Sequence, residues 1–249
     1  MRGALGAWPR AALGTLSDMA SVASEDVPAS PAFLCLMLLF GAGTSLVEGL
    51  IFLYFTQALG ASGTLCGLSV LVTVSFEIPL FVGSRRLVSA LSPRALLALA
   101  CLAYSSRVVG YTLITPGREW LLLLCEPLHG VTYSLGMLGA VHYSERLGGA
   151  RLRATAQALT DNVRSLGGVL ATLAGGAAMQ AYGPRVVYGA AAAGVLSALG
   201  AFLAATAGER SRARQVCQPP EGEGMEAAEE PPPAEGAPAA TPRETSRGR

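Results

Sequence analysis

Seven ionisable side chains stand inside long apolar stretches of this 249-residue chain: Glu48, Glu77, Arg107, Glu126, His129, Asp161 and Arg164. At the centre of a bilayer each would cost roughly 2.5–3.5 kcal/mol or more if it faced lipid, so each must face protein or a watery cavity. Four carboxylates stand against two arginines and one histidine. Not every acid can hold a fixed cation, so at least one is expected to carry a proton part of the time. Glu126 and His129 are three residues apart and share a helix face. Gln157, Asp161 and Arg164 follow the i, i+4, i+7 stripe of one helix. Arg107 lies on the helix that precedes Glu126 and His129. A carboxylate, an imidazole and a guanidinium on adjoining helices can relay a proton or bind a polar solute, and an imidazole titrates near neutrality unless perturbed.

Each of these residues also fits a plainer role. Asp161 and Arg164 suit an intrahelical ion pair, and Arg107 suits simple neutralisation of Glu126. Glu77, two residues before Pro79, suits the freed backbone donors of a kink. His129 suits a hydrogen-bonded packing position, and His142, near the end of its span, suits the interface. Glu48 stands among Gly41, Gly43 and Gly49 and is open to either reading. Together, a lined polar cavity explains the set more simply than separate structural accidents.

The surroundings require a membrane. The chain is 51% hydrophobic and 14% charged, where soluble domains carry about 25% charged residues. A chain this size in water still needs a polar skin. Six apolar segments, each long enough to cross roughly 30 Å of hydrocarbon, run over about 32–59, 64–83, 95–115, 119–144, 154–181 and 185–207. The breaks between them are short, so consecutive helices are expected to be antiparallel neighbours. All 18 basic residues are arginines. Arg2, Arg10, Arg85, Arg86, Arg94, Arg146, Arg151, Arg153, Arg210, Arg212 and Arg214 fall on one side of the alternating topology, against Arg118 and Arg185 on the other. Positive charge stays on the cytoplasmic side, so both termini are expected there.

Residues 1–31 form a polar N-terminal segment, and from Gly208 the composition turns to Pro, Glu, Gly and Ala, the signature of a disordered cytoplasmic tail over 208–249. Gly167, Ala171 and Gly175, and then Gly136 and Ala140, recur at four-residue steps that let helices approach closely in lipid. Cys35, Cys66, Cys101, Cys125 and Cys217 show no paired spacing, and four of them sit in apolar runs as small hydrophobes, so neither disulfide nor metal is expected. No phosphate loop, HExxH, GxSxG or basic-aromatic surface is present, so no enzymatic activity, cofactor or nucleic-acid partner is expected.

Several stretches occur in an order that resembles a known family: Phe76-Glu77-Ile78-Pro79, Gly83-Ser84-Arg85-Arg86 with Ser92-Pro93-Arg94, Glu126-Pro127-Leu128-His129-Gly130, and Leu152-Arg153-Ala154-Thr155-Ala156-Gln157. Over about residues 32–207 the chain looks like the C-terminal half of the MFS_1_like family of the major facilitator superfamily, which includes MFS domain-containing protein 6 and its 6-like relatives. It is also similar to lactose permease, through Arg107-Val108-Val109-Gly110 and Leu128-His129. The permease's carboxylate three residues after the histidine is replaced here by Thr132, which leaves Glu126 as the nearby acid. The acid expected in the loop after the second span is also absent.

The resemblance implies an all-α membrane protein, a six-transmembrane-helix bundle equal to one half of a twelve-helix transporter. It implies alternating access around a midplane site between two halves, with residues 1–31 as the linker between them. The expected function is secondary transport of a small polar solute, with Arg107 binding or neutralising and Glu126 and His129 handling protons. Glu48, Glu77, Gln157, Asp161 and Arg164 would complete the pathway. The expected partners are the lipid bilayer, the solute, and either a missing N-terminal six-helix half or a homodimer mate. The competing expectation is a receptor-like or scaffold membrane protein that keeps the fold without transporting.

Overall fold

The structure is a computed structural model that describes residues 30–216; the polar N-terminal segment up to residue 29 and the tail beyond 216 lie outside the described residues. Helix α1 (Ser30–Ala58) buries a stripe that includes Phe33, Leu36, Met37, Phe40, Val47 and Tyr54, at the spacing of one helix face. Gly60, with φ 77°, turns the chain. Ser62 then caps α2 (Gly63–Val82), its hydroxyl accepting from the Leu65 N–H at 3.2 Å. After Pro79 in the last turn of α2 comes the short α3 (Ser84–Ala90), which carries Arg85 and Arg86. Ser92 caps α4 (Pro93–Leu113), where Pro93 occupies the first turn and forfeits no hydrogen bond.

A 3-10 turn over Glu119–Leu121 leads into α5 (Leu122–Tyr182), and α6 (Pro184–Val216) ends the described chain. Helix α6 runs on past the composition change at Gly208. Helix α5 is continuous only by its hydrogen-bond bookkeeping. At Gly149 the backbone takes φ 56° and ψ −158°, and at Leu152 φ −113° and ψ 19°. The first of these is open to glycine and strained for other residues. Gln157 reaches Glu145 at 3.4 Å, whereas twelve residues of straight helix span about 18 Å. The chain therefore folds back, giving α5 two antiparallel arms, 122–148 and 153–182.

Counting the arms separately, six long rods stand close to the six expected segments. Five of them are long and apolar enough to cross a membrane: Ser30–Ala58, Gly63–Val82, Pro93–Leu113, Glu119–Gly148 and Pro184–Ala207. The expected fifth span, 154–181, is present as the second arm of α5 but falls short in apolarity, because it carries the stripe Gln157, Asp161 and Arg164. The expectation that consecutive helices are neighbours holds for α4 with α5 and for the two arms of α5, and is corrected for α1 with α2 and for α2 with α4. Helix α1 barely meets α2 or α4; it packs along α5 and α6, while α2 and α4 both pack on α5. The reversal at Gly149 lets α5 serve as the central partner on which the others lie.

At one end of the bundle Phe33, Tyr143 and Phe202 stack, with ring centroids 4.4 to 6.1 Å apart. Arg94 donates to the Leu203 carbonyl at 2.8 Å, joining α4 to α6 at that end. At the other end the Tyr54 hydroxyl donates to the Tyr111 carbonyl at 3.1 Å, and its ring meets Tyr188 edge-on at 5.4 Å. The candidate site lies between these two aromatic clusters.

Candidate functional site

A cavity of about 300 Å³ opens between α1, α2, α4 and the first arm of α5. Five of the residues singled out by charge line it: Glu48 from α1, Glu77 from α2, Arg107 from α4, and Glu126 and His129 from α5. A second cleft, between α1 and the two arms of α5, shares Glu48 and is lined by Gln157, Asp161 and Arg164. All eight expected residues thus border two adjoining spaces that meet at Glu48.

The pairings differ from the simplest ones. Arg107 is 2% exposed and sets Nη1 against His129 Nδ1. Its guanidinium carbon stands 5.8 Å from the centroid of the Tyr111 ring. Glu126, 5% exposed, accepts from Thr73 Oγ1 at 2.8 Å and from the Tyr111 hydroxyl at 2.9 Å. Among the described residues no cation lies within 4.0 Å of Glu126. Arg107 acts on Glu126 through space without an ion pair, while two hydroxyl donors satisfy the carboxylate oxygens. Arg107 Nε and Nη2 are buried without a hydrogen-bond partner.

On its far side His129 Nε2 stands 3.9 Å from Glu48 Oε1. A guanidinium can only donate, so the Nδ1 it touches must accept, and the ring proton belongs on Nε2, facing Glu48. A second proton on His129 has to take the place that Arg107 Nη1 occupies. Protonation of the imidazole and its contact with Arg107 are mutually exclusive.

Asp161 and Arg164 do form an ion pair at 3.7 Å, three residues apart on the second arm, both with their heads toward the cleft. Gln157 lines the cleft but spends its amide on Glu145. Glu145 also meets His142 Nδ1 at 3.2 Å and Arg153 Nη1 at 4.0 Å, forming a polar clasp across the reversal of α5. Glu77 lines the cavity, and no hydrogen bond of its carboxylate is found among the described residues. Helix α2 comes close to α5 there, since a side chain at Gly130 would meet the Glu77 backbone nitrogen at 2.9 Å.

Two residues that matter escaped the charge-based reading: Thr73 and Tyr111. A hydroxyl carries no charge and raises no alarm in an apolar span. The available signal was spacing, because Tyr111 follows Arg107 by four residues and Thr73 precedes Glu77 by four, which puts each on the same helix face as its charged neighbour.

No curated protein matches the chain. The profile of the MFS_1 like family matches residues 19–190. With that match spanning more than half of the chain, and with a bundle of apolar, membrane-length helices around a polar cavity, the protein belongs to the MFS_1 like family and is a multi-pass membrane protein of transporter type.

Proposed function

We propose that the bundle is one wall of a secondary transporter that moves a small polar solute by alternating access, with proton movement through His129. The observation that carries this reading is the line of Glu48, His129 and Arg107 across a cavity of solute size. A proton taken up by His129 displaces Arg107, and the freed guanidinium changes the charge presented to the cavity. The likeness to lactose permease at Arg107-Val108-Val109-Gly110 and Leu128-His129 supports the same two residues. Glu126 holds α2 and α4 around the cavity through its two hydroxyl donors.

Asp161 is 59% and Glu48 44% exposed at the side chain. Lipid would be costly against either, which supports a second bundle over this face, either an N-terminal six-helix half or a homodimer mate. The arginines support the orientation. Arg146 and Arg153 share a surface cleft with Val88 and Leu91 at the α3–α4 junction, so the arginine-rich reversal of α5 and the arginine-bearing α3 lie at one end. With that end cytoplasmic, both termini are cytoplasmic too.

The test is uptake into proteoliposomes of solutes from a panel of sugars, amino acids and carboxylates, under an imposed proton gradient. His129→Ala and Arg107→Ala are each expected to lower uptake at least about tenfold. Uptake that survives both substitutions undiminished sinks the assignment of these residues. Partner capture without uptake of any solute would favour the scaffold instead.

A further inference from the structure

We infer that the cavity between α1, α2, α4 and α5 takes a small zwitterion, a solute carrying an ammonium and a carboxylate on one carbon together with an apolar side group. This deepens the transporter reading and rests on the cavity being the solute site. The argument starts from what the polar groups leave unused. Both oxygens of Glu126 are occupied by hydroxyl donors. The surplus then has two signs. Arg107, 2% exposed and lining the cavity, keeps Nε and Nη2 without acceptors. Glu48 and Glu77 line the same cavity, with no hydrogen bond to either carboxylate among the described residues. Glu48 has His129 Nε2 at 3.9 Å and feels the charges of Arg107 and Arg164 through space, yet neither guanidinium donates to it.

Unused guanidinium donors call for a carboxylate, which they bind in a forked, charge-assisted way. Unused carboxylates call for an ammonium, which is all donors. A polyol supplies neither charge. A simple cation would leave the guanidinium donors open, and a simple anion would leave two acids without a donor. The separation fits as well: Arg107 and Glu48 stand at the two ends of the His129 ring, which touches the first with Nδ1 and faces the second with Nε2, so a solute lying alongside that ring would have to span its width. The two charged groups of an α-amino acid, each extended by one hydrogen bond, bridge such a gap. The remaining wall is apolar, with Phe52, Phe55, Val70 and Val74, and it suits a hydrocarbon side group. A volume of about 300 Å³ holds a solute of this size.

The experiment reads binding without requiring transport. The full chain, purified in detergent, is melted with about 10 mM leucine or phenylalanine, with the amine phenethylamine, with 3-phenylpropionate, and with lactose. The expected result is a rise in melting temperature of about 3 °C with leucine or phenylalanine, and under a third of that rise with the single-charge analogues or the sugar. Glu48→Gln should melt within about 1 °C of the parent, since Glu48 is not deeply packed, and should lose the response to both amino acids. An equal shift with phenethylamine overturns the proposal in favour of a cation site, and an equal shift with 3-phenylpropionate in favour of an anion site. Absence of any shift with both amino acids overturns it as well. If another solute is then taken up in a His129-dependent way, the transporter reading stands without this one. An amino-acid shift with no uptake of amino acids leaves the zwitterion site standing and removes transport.

Discussion

The two flanks of α1 are built on opposite principles. Toward the second arm of α5 the backbones nearly touch. A methyl group on Gly167 would run into the Leu38 carbonyl, one on Gly41 into the Arg164 carbonyl, and one on Gly168 into the Ser45 hydroxyl. This is packing by shape, the means available in lipid, where apolar burial gives helices little reason to associate. Toward α2 there is a cavity instead. Only Ser69 and Thr73 of α2 are buried, and α2 is held to the bundle along one partner, α5, by the close approach at Gly130, the Phe81–Tyr133 ring pair and the hydroxyl that Thr73 lends to Glu126. The first flank fixes a wall; the second is the side on which the proposed alternating access would have to act. A transporter requires both, and elements that move are drawn from the thinly held regions.

The contrast breaks most visibly at the seam. Gly167→Ala should destabilise the bundle by about 3 kcal/mol, because backbone on the facing helix cannot yield as a side chain can. Gly176→Ala, nine residues on in the same arm and facing open space, should change stability by less than about 0.5 kcal/mol. Unfolding of both variants in detergent, side by side with the parent, measures the difference. Equal tolerance at the two positions would remove the seam from the account.

The loose flank should respond more mildly and more locally. Thr73→Val removes one donor from Glu126 and Tyr111→Phe the other. Each is expected to cost about 1 kcal/mol, the scale of a hydrogen bond between helices in a membrane protein. The sharper reading comes from hydrogen exchange over residues 63–82. Thr73→Val should speed exchange in α2 while leaving α1 unchanged, and uniform acceleration across the bundle would mean that α2 is not separately held. In a double-mutant cycle, Thr73→Val should lose its effect once Glu126→Ala is present, since the pair shares one interaction.

Much of this was legible in the sequence because charge is expensive in lipid. Every ionisable residue flagged in the spans borders one of the two spaces, and the small-residue steps at Gly167 and Gly175 do mark the seam with α1. Spacing within a helix was also sound: Asp161 and Arg164 pair as their three-residue offset allows. What periodicity could not supply was which helices meet. Short connections fix direction, not adjacency, so α1 and α2 were expected side by side and instead stand apart across the cavity. The same gap hid the partner of Glu126. Charge alone pointed to Arg107, which acts on Glu126 only through space; finding the hydroxyls of Thr73 and Tyr111 that make the contacts needs positions across three helices.

The smallest effect expected lies at the reversal of α5, where two causes can be separated. Glu145 gathers His142, Arg153 and Gln157 across the break, yet its side chain is 28% and that of Arg153 62% exposed. Exposed pairs of this kind contribute about 0–1 kcal/mol and weaken with salt. Gly149 sits at φ 56° and ψ −158°, a region essentially reserved for glycine, where any other residue pays in backbone strain, on the order of 1–3 kcal/mol. If the backbone sets the reversal and the clasp only decorates it, Glu145→Gln should cost about 0.5 kcal/mol or less. Gly149→Ala should then cost at least twice as much, and high salt should erase only the first effect. A Glu145→Gln variant that falls further than Gly149→Ala would make the polar cluster the cause of the fold-back, and with it the joint that sets the angle between the arms.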